Sequence, residues 1–98
     1  MSSAQKLALP LFPRGKLVMT CGISKLIEQG LLDPLPYIHR HLNGDWGDLS
    51  EDARCANDAA LKHGDRLFSS YQINSQLELW IITEWDRSVT TLLLPSEN

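Results

Sequence analysis

No stretch of this chain approaches the roughly 18 consecutive apolar residues of a membrane span. Its amino terminus also lacks a charged region followed by an apolar one. Neither a membrane protein nor a secreted precursor is expected. Cysteine is scarce: Cys21 and Cys55 are the two, too few for the multi-bridge frameworks that staple small secreted domains. They read as reduced, half-buried small residues of a cytoplasmic protein. Basic runs are missing as well. The 9 Lys and Arg are scattered singly among 12 Asp and Glu, for a net charge of -3, whereas a sequence-independent nucleic-acid binder needs a basic face. Direct nucleic-acid binding is therefore not expected. A glycine-rich phosphate loop, a nucleophile elbow and a Cys–His cluster spaced for zinc are all absent, so neither a cofactor nor a metal is expected.

What remains is an ordinary globular composition in a short chain: 98 residues, 43% hydrophobic and 21% charged. That length is one domain, 1–98, with 1–8 and 96–98 expected to be flexible. The apolar "LALPLFPRGK" carries Pro10 and Pro13 and cannot be a central strand. It is expected to lie extended, with Leu9, Leu11 and Phe12 tucked into the domain. "KLVMT" reads as a short strand broken by Cys21-Gly22, or as a lead into the first helix.

Ile23, Leu26 and Ile27 have the spacing of one helical face, closed at Gly30. Asp33-Pro34 opens a second helix with Leu35, Ile38 and Leu42 on one side. Ser50, followed by Glu51 and Asp52, opens a third that runs to Gly64. Its alanines predict close packing on another element. Beyond it the period changes to two. "RLFSSYQI", "LELWIITE" and "VTTLLLP", joined at Asn74-Ser75-Gln76 and at "WDRS", read as an antiparallel meander. In its middle strand Trp80 and Ile82 share one face, and Leu79, Ile81 and Thr83 the other. The predicted fold is α+β: three short helices packed on a small antiparallel sheet, the three-stranded meander with an N-terminal strand available to join it.

"GDWGD", at Gly44–Asp48, invites a chemical reading because two carboxylates flank an indole just after "YIHRHLN". A metal set of His39, His41, Asp45 and Asp48 fails on geometry, since residues two apart on a helix face different sides. The structural reading gives Gly44 and Gly47 to turns, Asp45 to an Asx-turn and Asp48 to the start of the third helix. Trp46 then covers the alanine-rich helix, its N–H bonded to a carbonyl. Asn57 is either a buried amide bonded to this loop or a solvated one. "EWDRS" is a hairpin turn, yet Trp85 there has few neighbours to bury it, and Trp and Arg are enriched at binding hot spots.

The stretches "HLNGDWGDL", "NDAALKHGDRLFSSY" and "LWIITEWDRSVTTLLLP" together resemble a family of small uncharacterised proteins of bacterial plasmids and other mobile elements. The resemblance runs from about Leu9 to Pro95. It implies an accessory role in a mobile element, with modulation of a host defence or restriction system as the expectation, and it assigns no activity. The function expected is a non-enzymatic module that binds another protein through Asp45, Trp46, Trp85, Asp86 and Arg87, and a homodimer is compatible with it. The alternative is a small hydrolytic or nucleotide-processing enzyme using His41, Asp45 and Glu84, which requires those three side chains to converge. A third reading stacks nucleic-acid bases on Phe68, Tyr71 and Trp80.

Overall fold

The chain enters the fold as an edge strand, and the computed structural model describes it over residues 9–98; the segment 1–8, expected to be flexible, lies outside them. Strand β1 (Lys16–Met19) leads through an extended Thr20 directly into helix α1 (Cys21–Glu28). Cys21-Gly22, expected as a break, is thus the first turn of the helix. Helix α2 (Leu35–Leu42) starts after Asp33-Pro34, where the Leu35 N–H donates to Asp33 Oδ1 at 3.2 Å. Pro34 and Pro36 fall where a missing N–H costs no helical bond. Helix α3 (Glu51–His63) is capped at its start by Ser50 Oγ, which accepts the Ala53 N–H at 3.2 Å, and at its end by a left-handed Gly64. It buries only Asn57 and Ala60. Ala56 and Ala59 face solvent and Ala53 is half-buried, so of the alanines expected to pack closely only Ala60 enters the core.

Strands β2 (Leu67–Asn74), β3 (Leu77–Thr83) and β4 (Val89–Leu93) form the expected antiparallel meander. β1 joins it in parallel beside β4, giving a mixed sheet of order β1-β4-β3-β2. The parallel alignment follows from connectivity: three helices intervene between β1 and the meander, so no hairpin constrains the strand direction.

Register sorts the sheet into two faces. Leu67, Ser69 and Tyr71 of β2 stand opposite Thr83, Ile81 and Leu79 of β3, and Ile81 and Thr83 in turn stand opposite Leu92 and Thr90 of β4. All of these are buried. Against them pack Ile23, Ile38, Leu42 and Trp46. Each large apolar side chain so buried contributes roughly 1.5–3 kcal/mol. The opposite face carries Phe68, Trp80, Ile82, Thr91 and Leu93, with Phe68 and Trp80 edge-to-face at 5.1 Å. Tyr71 lies on the helix side and is 1% exposed, so Phe68, Tyr71 and Trp80 make no common stacking surface.

The N-terminal arm also departs from expectation. Leu9 and Leu11 are 85% and 56% exposed, and of the three apolar residues only Phe12 is inserted. The Leu11 N–H is tied to Leu42 O at 2.8 Å. The chain bends at Leu11 and Phe12, with Phe12 turned inward and Leu11 out. Cys21 and Cys55 are free and exposed rather than half-buried. The tail forms a 3-10 turn, Pro95–Glu97, whose Glu97 carboxylate accepts the Thr20 hydroxyl at 2.5 Å and the Gly22 and Leu94 N–H groups at 2.9 Å. Among the described residues no helix is long and apolar enough to cross a membrane.

Candidate functional site

The loop Gly44–Asp48 lies along the outer edge of β2 and continues the hydrogen bonding of the sheet. The Ser70 N–H donates to Trp46 O at 3.2 Å, and Ser70 O accepts the Asp48 N–H at 2.6 Å. One step further, the Gln72 N–H donates to Asp48 Oδ2 at 2.7 Å. One step back, the Asn57 side chain of α3 copies a strand: its amide nitrogen donates to Phe68 O at 2.5 Å and its Oδ1 accepts the Phe68 N–H at 3.2 Å. The outward backbone groups of Phe68 and Ser70, and the N–H of Gln72, are thereby satisfied without a fifth strand. Contact is close enough to demand glycine. At Gly47 φ is +80°, and a Cβ there would sit 2.1 Å from Ser70 O.

The side chains of Asp45 and Trp46 in the loop are also engaged. Asp45 holds Arg40 through two bonds, 2.7 Å from Nε and 3.3 Å from Nη2, and accepts the Gly47 N–H at 3.2 Å. The Arg40 hydrogen bond holds the Asp45 carboxyl below the usual carboxylate range. The Asp45 carbonyl accepts the Tyr71 hydroxyl at 2.6 Å, and the Arg40 guanidinium stands 4.7 Å from the centre of the Tyr71 ring. Trp46 is 2% exposed and donates its N–H to Asp58 Oδ1 at 3.0 Å, to a carboxylate rather than the expected carbonyl.

Beneath Trp46 lies His41, fully buried, with Phe12 and Trp46 edge-on at 5.4 and 5.6 Å. A chain of hydroxyls fixes its tautomer. Thr90 Oγ1 donates to Arg14 O at 2.7 Å, so its lone pairs accept the Thr83 hydroxyl, also at 2.7 Å. Thr83 Oγ1 has then spent its proton and accepts from His41 Nε2 at 2.9 Å, leaving Nδ1 to accept the Ser69 hydroxyl at 2.5 Å. Burial, reinforced by the nearby Arg87 cation, pushes His41 down to about 4. A neutral imidazole is the form this network holds.

The turn after β3 presents Trp85, 66% exposed. The rest of that turn is anchored. Arg87 has φ of +60°, its N–H donates to Glu84 O at 2.9 Å, and its guanidinium donates to Asp65 O, Glu84 O and Ala60 O at 2.6, 3.1 and 3.3 Å. Ala60 O lies in the last turn of α3, so Arg87 caps that helix from across the fold, and it also stands 5.6 Å from the centre of the Phe12 ring. The Asp86 carboxylate accepts the Ser88 N–H at 3.0 Å, and its hydrogen bonds to Ser88 hold it below the usual range.

Of the five residues expected to bind, Trp85 and Asp86 present their side chains to solvent. Asp45 presents a carboxylate already held by Arg40, while Trp46 and Arg87 are turned into the fold. Each member of the enzymatic set is engaged separately: His41 is sealed between Ser69 and Thr83, Asp45 is held by Arg40, and Glu84, which follows Thr83, stands 3.6 Å from Arg66 at the open end of the β2–β3 hairpin. Among the described residues no group of three or more His, Cys, Asp or Glu side chains could hold a metal. Sequence reasoning missed the Ser69–His41–Thr83–Thr90 network. Its only signal is hydroxyls at alternate positions on strand faces otherwise filled by Leu, Ile and Tyr. Fold and site together define an α+β domain with one sheet edge closed by a loop and a tryptophan held out on a fixed turn. Comparisons of the chain with family models, with curated proteins and with solved structures found no match.

Proposed function

We propose that this chain is a non-enzymatic protein-interaction module of a bacterial mobile element, acting in the cytoplasm on another protein, with a component of a host defence or restriction system as its target. The observation that carries the binding role is Trp85: a large indole, two-thirds exposed, on a turn immobilised by Arg87 and Asp86. Interfaces draw most of their energy from such anchors, because a rigid aromatic loses little freedom on binding. Asp86 beside it adds a fixed negative charge. The mobile-element setting rests on the motif resemblance.

The test compares wild-type protein with Trp85→Ala and Asp86→Ala, each verified as folded, in affinity purification from the native host. Trp85→Ala is expected to keep its stability within about 0.5 kcal/mol and to lose the partner that wild type retains. Equal recovery from wild type and both variants would sink this surface.

A further inference from the structure

The two edges of the sheet are finished differently. The β2 edge is closed by the Gly44–Asp48 loop and Asn57, whereas β1 has β4 on one side and no strand on the other. The Lys16 N–H donates to Ser88 O at 2.9 Å and the Thr20 N–H to Leu92 O at 3.1 Å. Ladder bonds fall on alternate residues of a strand, so Leu17 and Met19 aim their N–H and C=O groups away from β4. Among the described residues these groups have no partner.

The core stops short at the same place. Leu17 and Met19 stand opposite Thr90 and Leu92, which are 0% exposed. Yet they are themselves only half-buried, as are Leu26 and Ile27 of α1. A strand that completes this layer must offer two apolar residues, two positions apart, whose backbone groups point towards β1. Strand β1 is itself such a strand. Set antiparallel to its own copy about a two-fold axis at Val18, it places Leu17 of each chain opposite Met19 of the other, where they exchange both backbone bonds. Val18, 37% exposed on the other face of the sheet, meets its counterpart at the axis. Lys16 falls opposite Thr20, so the cations do not oppose each other. No neighbouring register works as well. An axis at Leu17 sets Met19 opposite Gly15, and an axis at Met19 sets Leu17 opposite Cys21, and neither Gly15 nor Cys21 belongs to the strand.

We propose that the β1 edge receives β1 of a second copy of this chain, joining two four-stranded sheets into one continuous sheet across a two-fold axis. This does not depend on the Trp85 turn. The contact is short, and small interfaces belong to weak, reversible pairs.

Sedimentation velocity and amide exchange of the full chain over a wide concentration range test it together. Wild type is expected to rise from 11.0 kDa towards the mass of two chains. The Leu17 and Met19 amides should become protected over the same range, while Val18 and Thr20, bonded to β4, are protected throughout. Val18→Lys and Val18→Glu each put like charges side by side at the axis and should weaken pairing by about fivefold or more. Mixing the two variants should restore the pair, because lysine then faces glutamate, and two variants that had failed to fold could not restore each other. A wild type that stays single up to about 1 mM overturns the proposal. So does a pair in which the Leu17 and Met19 amides exchange as fast as in the single chain, or a mixture that fails to restore pairing.

Discussion

His41 illustrates how one buried residue links acid stability to a chain of hydroxyls. Its ordinary value of 6.5 is depressed to about 4 in the folded protein, so on acidification the unfolded chain takes up the proton first. Stability is complete above about pH 6.5 and is lost progressively towards pH 4, by on the order of 3 kcal/mol in all. Urea denaturation at half-unit pH steps should show that slope, and His41→Gln should flatten it. Asp45 is held below its ordinary 3.8, so its own contribution disappears only at lower pH, and the two windows separate. Arg87 is the second residue with a sharp expectation. Alanine there removes three charge-assisted bonds to carbonyls and unseals the end of α3, a loss of roughly 2–3 kcal/mol read as a lower denaturation midpoint. Neighbouring Trp85→Ala should leave that midpoint unmoved. Two positions apart and both plausible as contact residues, they diverge because Arg87 reaches Ala60, 27 positions back, and no local pattern announces so distant a partner.

Between elements, the closure of the β2 edge can be tested by removing its pieces. Asn57→Ala leaves the Phe68 N–H and C=O without partners and should cost about 2–3 kcal/mol. Faster amide exchange at Phe68 would assign the loss to this edge. Gly47 and Gly64 both have positive φ, but a Cβ on Gly64 meets nothing within 4 Å, whereas one on Gly47 meets the Ser70 carbonyl at 2.1 Å. Gly64→Ala should therefore cost about 1 kcal/mol for its backbone conformation alone, and Gly47→Ala should cost more than 3 kcal/mol or detach the loop. Thermal melts of the pair provide the comparison. Much at this scale is legible: the Ser50 cap and the alternation in β3 are local signals that appear as expected, the Asp33-Pro34 entry falls one residue later with Pro34 at the cap, and the Asn74-Ser75-Gln76 link narrows to Ser75-Gln76 because Asn74 ends β2. The loop's pairing with β2 was not legible, because it uses backbone groups and leaves no side-chain pattern. Nor was the outward turn of Leu9 and Leu11, since apolar character alone does not say which side of an extended arm meets the core.

For the whole molecule, the deciding contact is the strand pairing most distant in sequence. β1 and β4 pair at Lys16–Val89 through Met19–Leu92, closing a loop that holds all three helices and the first two strands of the meander, whereas the meander needs only short turns. Loop closure over such a span is entropically costly, so the meander is expected to form before β1 docks. Leu79→Ala in β3 should then slow folding, and Leu17→Ala in β1 should mainly speed unfolding, a contrast that stopped-flow chevrons of the two variants would resolve. The parallel docking of β1 was also the least legible part of the fold, since a four-residue strand carries no record of its partner. It leaves the sheet asymmetric, with β1 bordering solvent on one side while Trp46, Asp48 and Asn57 occupy the other. A fibril built by strand addition needs every subunit to receive a neighbour at one edge and offer its own at the other. Among the described residues only the β1 edge offers unpaired strand backbone, so growth by adding strands there would end at two subunits, with the Gly44–Asp48 loop in the place where a further subunit would have to dock.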